Sequence, residues 1–270
     1  MVQAMQTVSV LRLLAPFLLV WFASVSVLQA ADTPGQTAER DLARTISTAT
    51  GIQGGLIVHL GCGDGKLTAA LHAGDGCLVH GLDTDVAQVA EAREHIRSLG
   101  RYGEVSVDTF DGRRLPYVDN LVNLVVAQDL GDVGIDEVIR VLAPRGVAWV
   151  GGKKTVKPLP EEIDEWTHFL HGPDGNAVAD DRAVGPPRHV QWVAEPRWQR
   201  HHEMTPSVGA LVSSGGRLLG IVNEAPAGID GLPDRWTLVA RDAFNGKLLW
   251  KRPIDEWGWT EWGDHSLGHG

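Results

Sequence analysis

The chain has 270 residues, of which 43% are hydrophobic and 21% charged, and its formal net charge is −10. This composition is that of ordinary globular protein, long enough for one large domain or two smaller ones. An acidic chain has no electrostatic reason to bind nucleic acid or anionic lipid, so neither partner is predicted. The two cysteines, Cys62 and Cys77, are too few for a disulfide framework. Export would permit a bond between them, but we expect two free, partly buried thiols.

The first thirty residues have the layout of a secretory signal peptide. Arg12 precedes an almost wholly apolar run over residues 13–27, and small residues follow at Ala30 and Ala31. The run is shorter than the roughly 20 residues that a membrane span requires. We therefore predict an exported protein, periplasmic or extracytoplasmic, whose residues 1–30 are the signal. The alternative is a retained N-terminal membrane anchor.

Residues 31–51 are polar, with a helix predicted over 38–50, and a regular alternation of strands and helices begins at Leu56. Apolar runs and helical spacing predict strands at 56–60, 77–82, 104–109, 121–127 and 147–150, and helices at 66–73, 86–99 and 135–142. Alternating strands and helices indicate a parallel sheet with right-handed crossovers. Residues 52–153 are therefore predicted to form a doubly wound, Rossmann-like α/β domain.

A glycine-rich turn follows the first predicted strand and opens the first helix of this domain. It contains Gly61, Cys62, Gly63 and Gly65. Glycines let a ligand approach the backbone closely, and the free amides at a helix start favour a negative group. The alternative is that these glycines only allow the chain to turn and contact no ligand.

Two aspartates fall at the same predicted edge of the sheet, where open α/β sheets bind ligands. Asp83 ends the second strand, where a carboxylate can accept both hydroxyls of a ribose, or it could instead cap the next helix. Asp111 lies beyond the third strand, where forming a turn is the alternative to binding. His59, just before the glycine turn, is expected to be a buried, hydrogen-bonded histidine rather than a base.

Four ordered segments together resemble the class I S-adenosylmethionine-dependent methyltransferase family. They are the glycine motif over 60–65, the acid Asp83, the stretch 111–117 and the turn 141–146. The resemblance covers about residues 52–152. It implies S-adenosylmethionine as cofactor, bound by Gly61, Cys62, Gly63, Gly65, Asp83 and Asp111, with residues 111–117 near the adenine. Methyl transfer depends on positioning more than on acid–base groups, so no catalytic residue is assigned.

The chain departs from that family at three points. His59 and Asn123 stand where the family usually has acids, the first of which helps to hold the amino acid end of the cofactor. The predicted sheet also ends after five strands, where the family normally adds two more. These departures leave cofactor binding more secure than methyl transfer.

After a linker at 154–163, residues 164–270 are predicted to be an all-β region. Eight of the ten tryptophans lie beyond residue 160, and short strands are predicted at 218–222, 236–241 and 247–251. Histidines and carboxylates are dense over 164–180 and again at 201–202. They lack a recognised ligand spacing, so no metal site is predicted.

Residues 241–247 and Trp250 resemble one blade of the pyrroloquinoline-quinone-like β-propeller repeat family. The Asn245-Gly246 pair predicts a hairpin turn. In that family such residues hold neighbouring blades together and do not bind the quinone, so no quinone cofactor is implied. A propeller needs roughly 4 to 8 blades. One repeat predicts that the chain is the front part of a longer protein. Otherwise, we expect its last hundred residues to be poorly ordered or to pair with other chains through their open strand edges.

Three functions follow from these patterns. The leading one is an exported methyltransferase-like protein acting on an unknown acceptor, fused to the beginning of a propeller. The second is an exported, non-catalytic binding or scaffold protein in which the methyltransferase fold is degenerate and the propeller engages a protein partner. The third is a fragment of a quinoprotein dehydrogenase, which rests on the propeller resemblance alone.

Overall fold

The computed structural model describes residues 34–183, 185, 189–196, 208–226 and 234–255. The predicted signal peptide, the histidine pair at 201–202 and the last fifteen residues of the predicted propeller region lie outside the described residues. Within the described part of the chain, no helix is long and apolar enough to cross a membrane.

A six-stranded sheet forms the first part of the molecule. In chain order the elements are α1 Pro34–Thr50, β1 Gly55–Leu60, α2 Lys66–Ala70, β2 Cys77–Asp83, α3 Val86–Ser98, β3 Val105–Thr109, β4 Val122–Ala127, α4 Ile135–Val141, β5 Leu142–Val150 and β6 Lys153–Val156. The strand order is β3-β2-β1-β4-β5-β6, and all neighbours are parallel except β5 and β6. The predicted mostly parallel, doubly wound α/β fold is confirmed.

Hydrophobic side chains cover both faces of this sheet, as a doubly wound fold requires. On one face α1, α2 and α3 bury a cluster that includes Ile46, Ala69 and Ile96. On the other face α4 and residues 110–121 bury a cluster that includes Leu82 and Val138. Residues 110–121 connect β3 to β4 without a helix, and they cover part of a face that a crossover helix would otherwise occupy.

The sheet is one strand larger than predicted. Gly151 and Gly152 have φ values of 53° and 77°, and they form a tight turn that returns the chain as β6, antiparallel to β5. A two-residue turn with positive φ at both positions suits the twist of a β-hairpin. From the sequence, the chain was predicted to leave the sheet at these glycines, and β6 was not predicted.

A second sheet follows, with β7 Val208–Ser214, β8 Arg217–Asn223, β9 Trp236–Asp242 and β10 Leu248–Pro253. Its order is β10-β9-β8-β7 and every neighbour is antiparallel. The strands predicted over 218–222, 236–241 and 247–251 correspond to β8, β9 and β10, and β7 was missed. This sheet is open, and among the described residues there is no closed propeller.

Candidate functional site

The carboxyl ends of four parallel strands meet at one edge of the first sheet. Leu60 at the end of β1 is in register with Leu82 on β2 and Ala127 on β4, while Asp83 is in register with Thr109 on β3. The loops that follow these strands therefore begin side by side. This edge, which we call the carboxyl edge, brings the predicted glycine turn together with Asp83.

The three glycines of the turn have different structural roles. Gly61, Gly63 and Gly65 all have positive φ, at 69°, 51° and 78°. A Cβ on Gly65 would lie 2.8 Å from the Cβ of Ala92 on α3, so Gly65 permits close packing between α2 and α3. A Cβ on Gly61 would meet no atom within 4 Å, and one on Gly63 would meet only the end of Gln88, at 3.8 Å. Packing therefore accounts for Gly65, while Gly61 and Gly63 face open space.

Asp83 is fixed against the glycine turn. Its Oδ2 accepts a hydrogen bond from the backbone N–H of Gly63 at 3.0 Å, and its Oδ1 accepts one from the N–H of Asp85 at 3.0 Å. The N-cap of α3 is Asp85, whose carboxylate accepts the N–H of Ala87 at 2.8 Å. Of the two roles considered for Asp83, capping α3 is thus taken by Asp85, and the Asp83 carboxylate remains at the carboxyl edge.

Asp111 forms a turn. Its Oδ1 accepts the backbone N–H groups of Arg114 and Arg113, both at 2.8 Å, and these hydrogen bonds lower the pKa of the exposed carboxyl. The structure shows no contact between Asp111 and the glycine turn. Tyr117, at the end of the same stretch, is turned inward, and its hydroxyl lies 2.7 Å from Nδ1 of His80 on β2.

The side chains of His59 and Cys62 point into the protein. His59 is 6% exposed, and its Nδ1 lies 2.8 Å from the hydroxyl of Thr68. Burial lowers the pKa of His59 to about 4, although the negative charge of Asp83 opposes the shift. The imidazole is therefore neutral near pH 7. Burial, assisted by Asp83, raises the pKa of the Cys62 thiol to about 12, so Cys62 presents its backbone rather than a reactive side chain to the turn.

Two residues at the end of β4 also lie at the carboxyl edge, although they were not predicted from the sequence. Gln128 and Asp129 follow Ala127 directly, are exposed, and begin level with the glycine turn because β4 pairs with β1. The Asp129 carboxylate accepts the N–H of Gly131 at 3.0 Å. Their signal in the sequence was their position after a continuous apolar strand, which is the same signal that identified Asp83.

An ionic network on α4, which was not predicted from the sequence, holds the stretch from Asp111 to Tyr117. Glu137 accepts the backbone N–H of Leu115 at 2.8 Å and is paired with Arg140 at 2.7 Å. Arg140 in turn donates to the carbonyls of Leu115 and Tyr117 at 3.2 and 2.9 Å. These bonds fix the non-helical connection beside the carboxyl edge.

Two cavities of about 570 Å³ each lie away from the glycine turn. One lies among α1, α2 and the end of α3, and the other lies between the two sheets, beside Asn123 and Asp242. Neither is lined by Asp83 or by the glycines of the turn.

The described residues contain no group of three or more histidine, cysteine or carboxylate side chains that could hold a metal ion. In the stretch 164–180, His171 is instead paired with Asp164, with Nε2 and Oδ2 2.6 Å apart. Asp164 also accepts the N–H of Asp180 at 2.7 Å. These groups hold a loop together. The two cysteines are free and buried, as expected.

Comparison with known proteins bears on the first sheet. Residues 57–146 match the family model described as a methyltransferase domain. Over these residues the first sheet resembles a methyltransferase domain. The chain is also 33% identical over 96 residues to the methyltransferase GfsG of Streptomyces halstedii, a match that covers 33% of this chain. The chain spans about a third of the length of that curated relative, 34%.

Solved structures are also similar to part of this chain. The [4+2]-cyclase SpnF is 28% identical with a TM-score of 0.39, covering 44% of this chain and 46% of its own. A geranyl diphosphate methyltransferase in complex with SAM is 19% identical with a TM-score of 0.37, covering 44% and 54%. A SAM-dependent methyltransferase from Aquifex aeolicus is 18% identical with a TM-score of 0.36, covering 43% and 71%. Each likeness is partial.

Proposed function

We propose that the carboxyl edge of the first sheet binds S-adenosylmethionine and that the domain transfers its methyl group to an acceptor. The observation that carries this proposal is the pairing of two unobstructed glycines, Gly61 and Gly63, with a carboxylate held 3.0 Å from the Gly63 amide. A ligand approaching the backbone at these glycines would lie beside Asp83. The match of residues 57–146 to a methyltransferase domain supports the same proposal.

The residues present fit the nucleoside part of the cofactor. Asp83 uses one lone pair of each oxygen on a backbone N–H, and a carboxylate has further lone pairs for ribose hydroxyls. Gly61 leaves its surroundings free for the ligand. Asp111 fits less well, because its Oδ1 is already committed to two backbone amides. We therefore assign the ribose to Asp83 and give Asp111 a role in shaping the loop.

The charge of the edge also suits this cofactor. Among the described residues, three carboxylates at the edge have no ion-pair partner: Asp83, Asp85 and Asp129. Unpaired carboxylates attract a cation and bind a neutral analogue less well. Bound S-adenosylmethionine would supply a methyl group on a positively charged sulfonium. An acceptor atom bonds to the methyl carbon from the side opposite the sulfur, which leaves as S-adenosylhomocysteine. The chain then contributes orientation of the two reactants rather than a base.

One residue weakens the fit. His59 stands where the resembled family has an acid, and it is neutral, buried and bonded to Thr68. It therefore offers no negative charge to the amino acid end of the cofactor. We expect weaker binding than an acid at this position would give, with the adenosine part supplying most of the affinity.

Calorimetric titration of the full chain with S-adenosylmethionine tests the proposal. We expect saturable binding that Asp83→Ala weakens at least tenfold, because the ribose loses its acceptor. Asp75→Ala is the matched control: Asp75 is an exposed aspartate that precedes β2 at the opposite edge, and its loss should leave the affinity unchanged. The absence of heat at millimolar cofactor, with a folded protein by circular dichroism, would disprove cofactor binding.

The non-catalytic scaffold is the second candidate, and the neutral His59 is the observation that favours it. A scaffold protein differs from a methyltransferase in one measurable respect. A chain that binds the cofactor but releases no S-adenosylhomocysteine when incubated with pooled small-molecule and protein acceptors would be a binding protein. We also propose export, to be tested by fractionating cells that produce the full chain.

A further inference from the structure

Asn123, at the start of β4, joins the two sheets. Its Oδ1 accepts the backbone N–H of Leu56 at 2.8 Å and the side-chain amide of Asn245 at 2.6 Å. Its Nδ2 donates to Oδ2 of Asp242 at 2.6 Å. Asn245 also donates to the carbonyl of Leu121 at 2.9 Å. A backbone donor on one side and a carboxylate on the other determine which end of the Asn123 amide faces which partner.

Asp242 divides its two oxygens between building a turn and docking it. Its Oδ1 accepts the N–H groups of Phe244 and Asn245 at 2.9 and 3.0 Å, which shapes the turn between β9 and β10. Its Oδ2 is the atom that receives the Asn123 amide. We call residues 242–247 the docking turn. The same carboxylate thus makes the turn and attaches it to the first sheet.

At three glycines, the edge of the first sheet that faces the second sheet has no room for a larger side chain. A Cβ on Gly55, at φ 94°, would lie 2.0 Å from Oδ1 of Asn123. A Cβ on Gly54 or on Gly76 would lie 2.9 Å from an atom of Leu249 on β10. These glycines begin or precede β1 and β2, so the contact lies at the amino ends of the strands. We call this the amino edge.

We propose that the amino edge is a docking surface for the docking turn. Asn123 is the residue whose hydrogen bonds match that turn, and the two sheets unfold as one unit. An acid at position 123 would place a carboxylate oxygen 2.6 Å from that of Asp242, and the two charges would repel. The asparagine, a departure from the resembled methyltransferase pattern, is thus an adaptation to the docked sheet.

This inference is independent of cofactor binding. β1 has six residues, so the amino and carboxyl edges are separated by roughly 17 Å at about 3.3 Å per residue. The second sheet is attached at the amino edge, so this attachment does not cover the carboxyl edge. Failure of one proposal would not affect the other.

Exchanging the two side chains tests the pairing. In the full chain, Asn123→Asp alone sets two carboxylates face to face. In Asp242→Asn alone, the side-chain oxygen still accepts the N–H groups of the turn. The new NH2 group therefore faces the NH2 group of Asn123, and two donors meet. In the double variant the carboxylate introduced at position 123 would accept from the amide introduced at position 242, so the hydrogen bond between them is restored with its direction reversed. We expect each single variant to lower the melting temperature by about 5 °C and the double variant to recover most of that loss.

Two optical probes report separately on the two sheets. The described helices, α1 to α4, all pack on the first sheet, so far-ultraviolet circular dichroism follows that part. Four of the five described tryptophans, at positions 166, 192, 236 and 250, lie beyond residue 160, so tryptophan fluorescence mainly follows the second part. We expect coincident midpoints in the unsubstituted protein, and separation of the two transitions in Asn123→Asp.

Asn176→Asp is the control, since it makes the same chemical change in an exposed loop and should leave both midpoints unchanged. Additive losses in the double variant would show that Asn123 and Asp242 do not act on each other. Separate midpoints in the unsubstituted protein would show that the two sheets unfold independently. Either result would overturn the proposal.

Discussion

Nδ1 of His59 lies 2.8 Å from the hydroxyl of Thr68, so the end of β1 is bonded to α2 across the glycine turn. His59 precedes Gly61 and Thr68 follows Gly65, and both side chains are buried, at 6% and 0% exposure. The pair therefore fixes the two ends of the turn relative to each other. It acts through a neutral imidazole, because burial lowers the pKa of His59 to about 4.

Acid should destabilise the protein through His59. The folded protein holds the pKa at about 4, below the ordinary value of 6.5, so the unfolded chain binds the proton more readily. The stabilisation is complete above pH 6.5 and is lost as the pH falls from 6.5 towards 4. The largest loss is about 3 kcal/mol. Denaturant unfolding at pH 7.5, 6, 5 and 4.5 measures it.

Other groups also titrate in this range, so the His59 contribution must be separated by substitution. His59→Gln keeps a hydrogen-bonding side chain beside Thr68 but removes the titration, and it should flatten the dependence of unfolding free energy on pH. His189→Gln, in an exposed segment, should not change it. An identical slope in His59→Gln and the unsubstituted chain would contradict the assignment.

The glycines of the turn should differ in what their replacement costs. Gly65→Ala adds a Cβ 2.8 Å from that of Ala92 at φ 78°, and we expect a loss of about 3 kcal/mol in stability. Gly61→Ala meets no neighbouring atom, so the strain at φ 69° alone should cost about 1 kcal/mol. If the proposed site is correct, Gly61→Ala should nevertheless weaken S-adenosylmethionine binding at least tenfold. Chemical denaturation and calorimetry give the two quantities.

Cys62 should be inert in the folded protein despite its place in the glycine turn. A pKa of about 12 leaves about one thiol in ten thousand ionised at pH 8, and the side chain is 3% exposed. Burial also raises the pKa of Cys77. Alkylation at pH 8, followed by mass spectrometry, should modify neither residue before unfolding and both in denaturant. Fast native labelling of Cys62 would show that the turn opens.

Arg140 should stabilise the connection between β3 and β4. It is partly buried and links Glu137 to the carbonyls of Leu115 and Tyr117, so Arg140→Ala should cost about 2 kcal/mol and speed amide exchange over residues 111–118. Arg44→Ala, which removes an exposed ion pair with Asp41, is the control and should cost less than about 0.5 kcal/mol. Hydrogen exchange that remains unchanged in Arg140→Ala would mean that the connection is held by apolar contacts alone.

The sequence was sufficient for the parts of the fold that depend on local pattern. Five parallel strands, the glycine turn and the placement of Asp83 all follow from apolar runs, helical spacing and turn glycines. Boundaries shifted slightly, as at α4, which was predicted to Leu142 but ends at Val141 because Leu142 already pairs with Val122 on β4. Strand pairing, which no local pattern records, decided that position.

What the sequence did not reveal depends on contacts between distant residues. Asn123 bonds to Asp242 across 119 positions, so its role could not be read from its neighbours. Trp192 was likewise missed: its Nε1 donates to the carbonyl of Ala243 at 3.1 Å, and its ring lies against Gly246. Trp250, which the propeller resemblance suggested for docking, is 45% exposed.

The hairpin that adds β6 has a consequence for the behaviour of the protein at high concentration. An uncovered strand exposes a row of backbone donors and acceptors that a strand from another molecule could pair with. β6 satisfies those groups on β5, and it is itself four residues long, fully exposed, and headed by Lys153 and Lys154. Lys154 is further drawn to the carbonyls of Ala49 and Thr50 at the end of α1. A short lysine-bearing strand at this position disfavours aggregation of the first sheet through its β5 side.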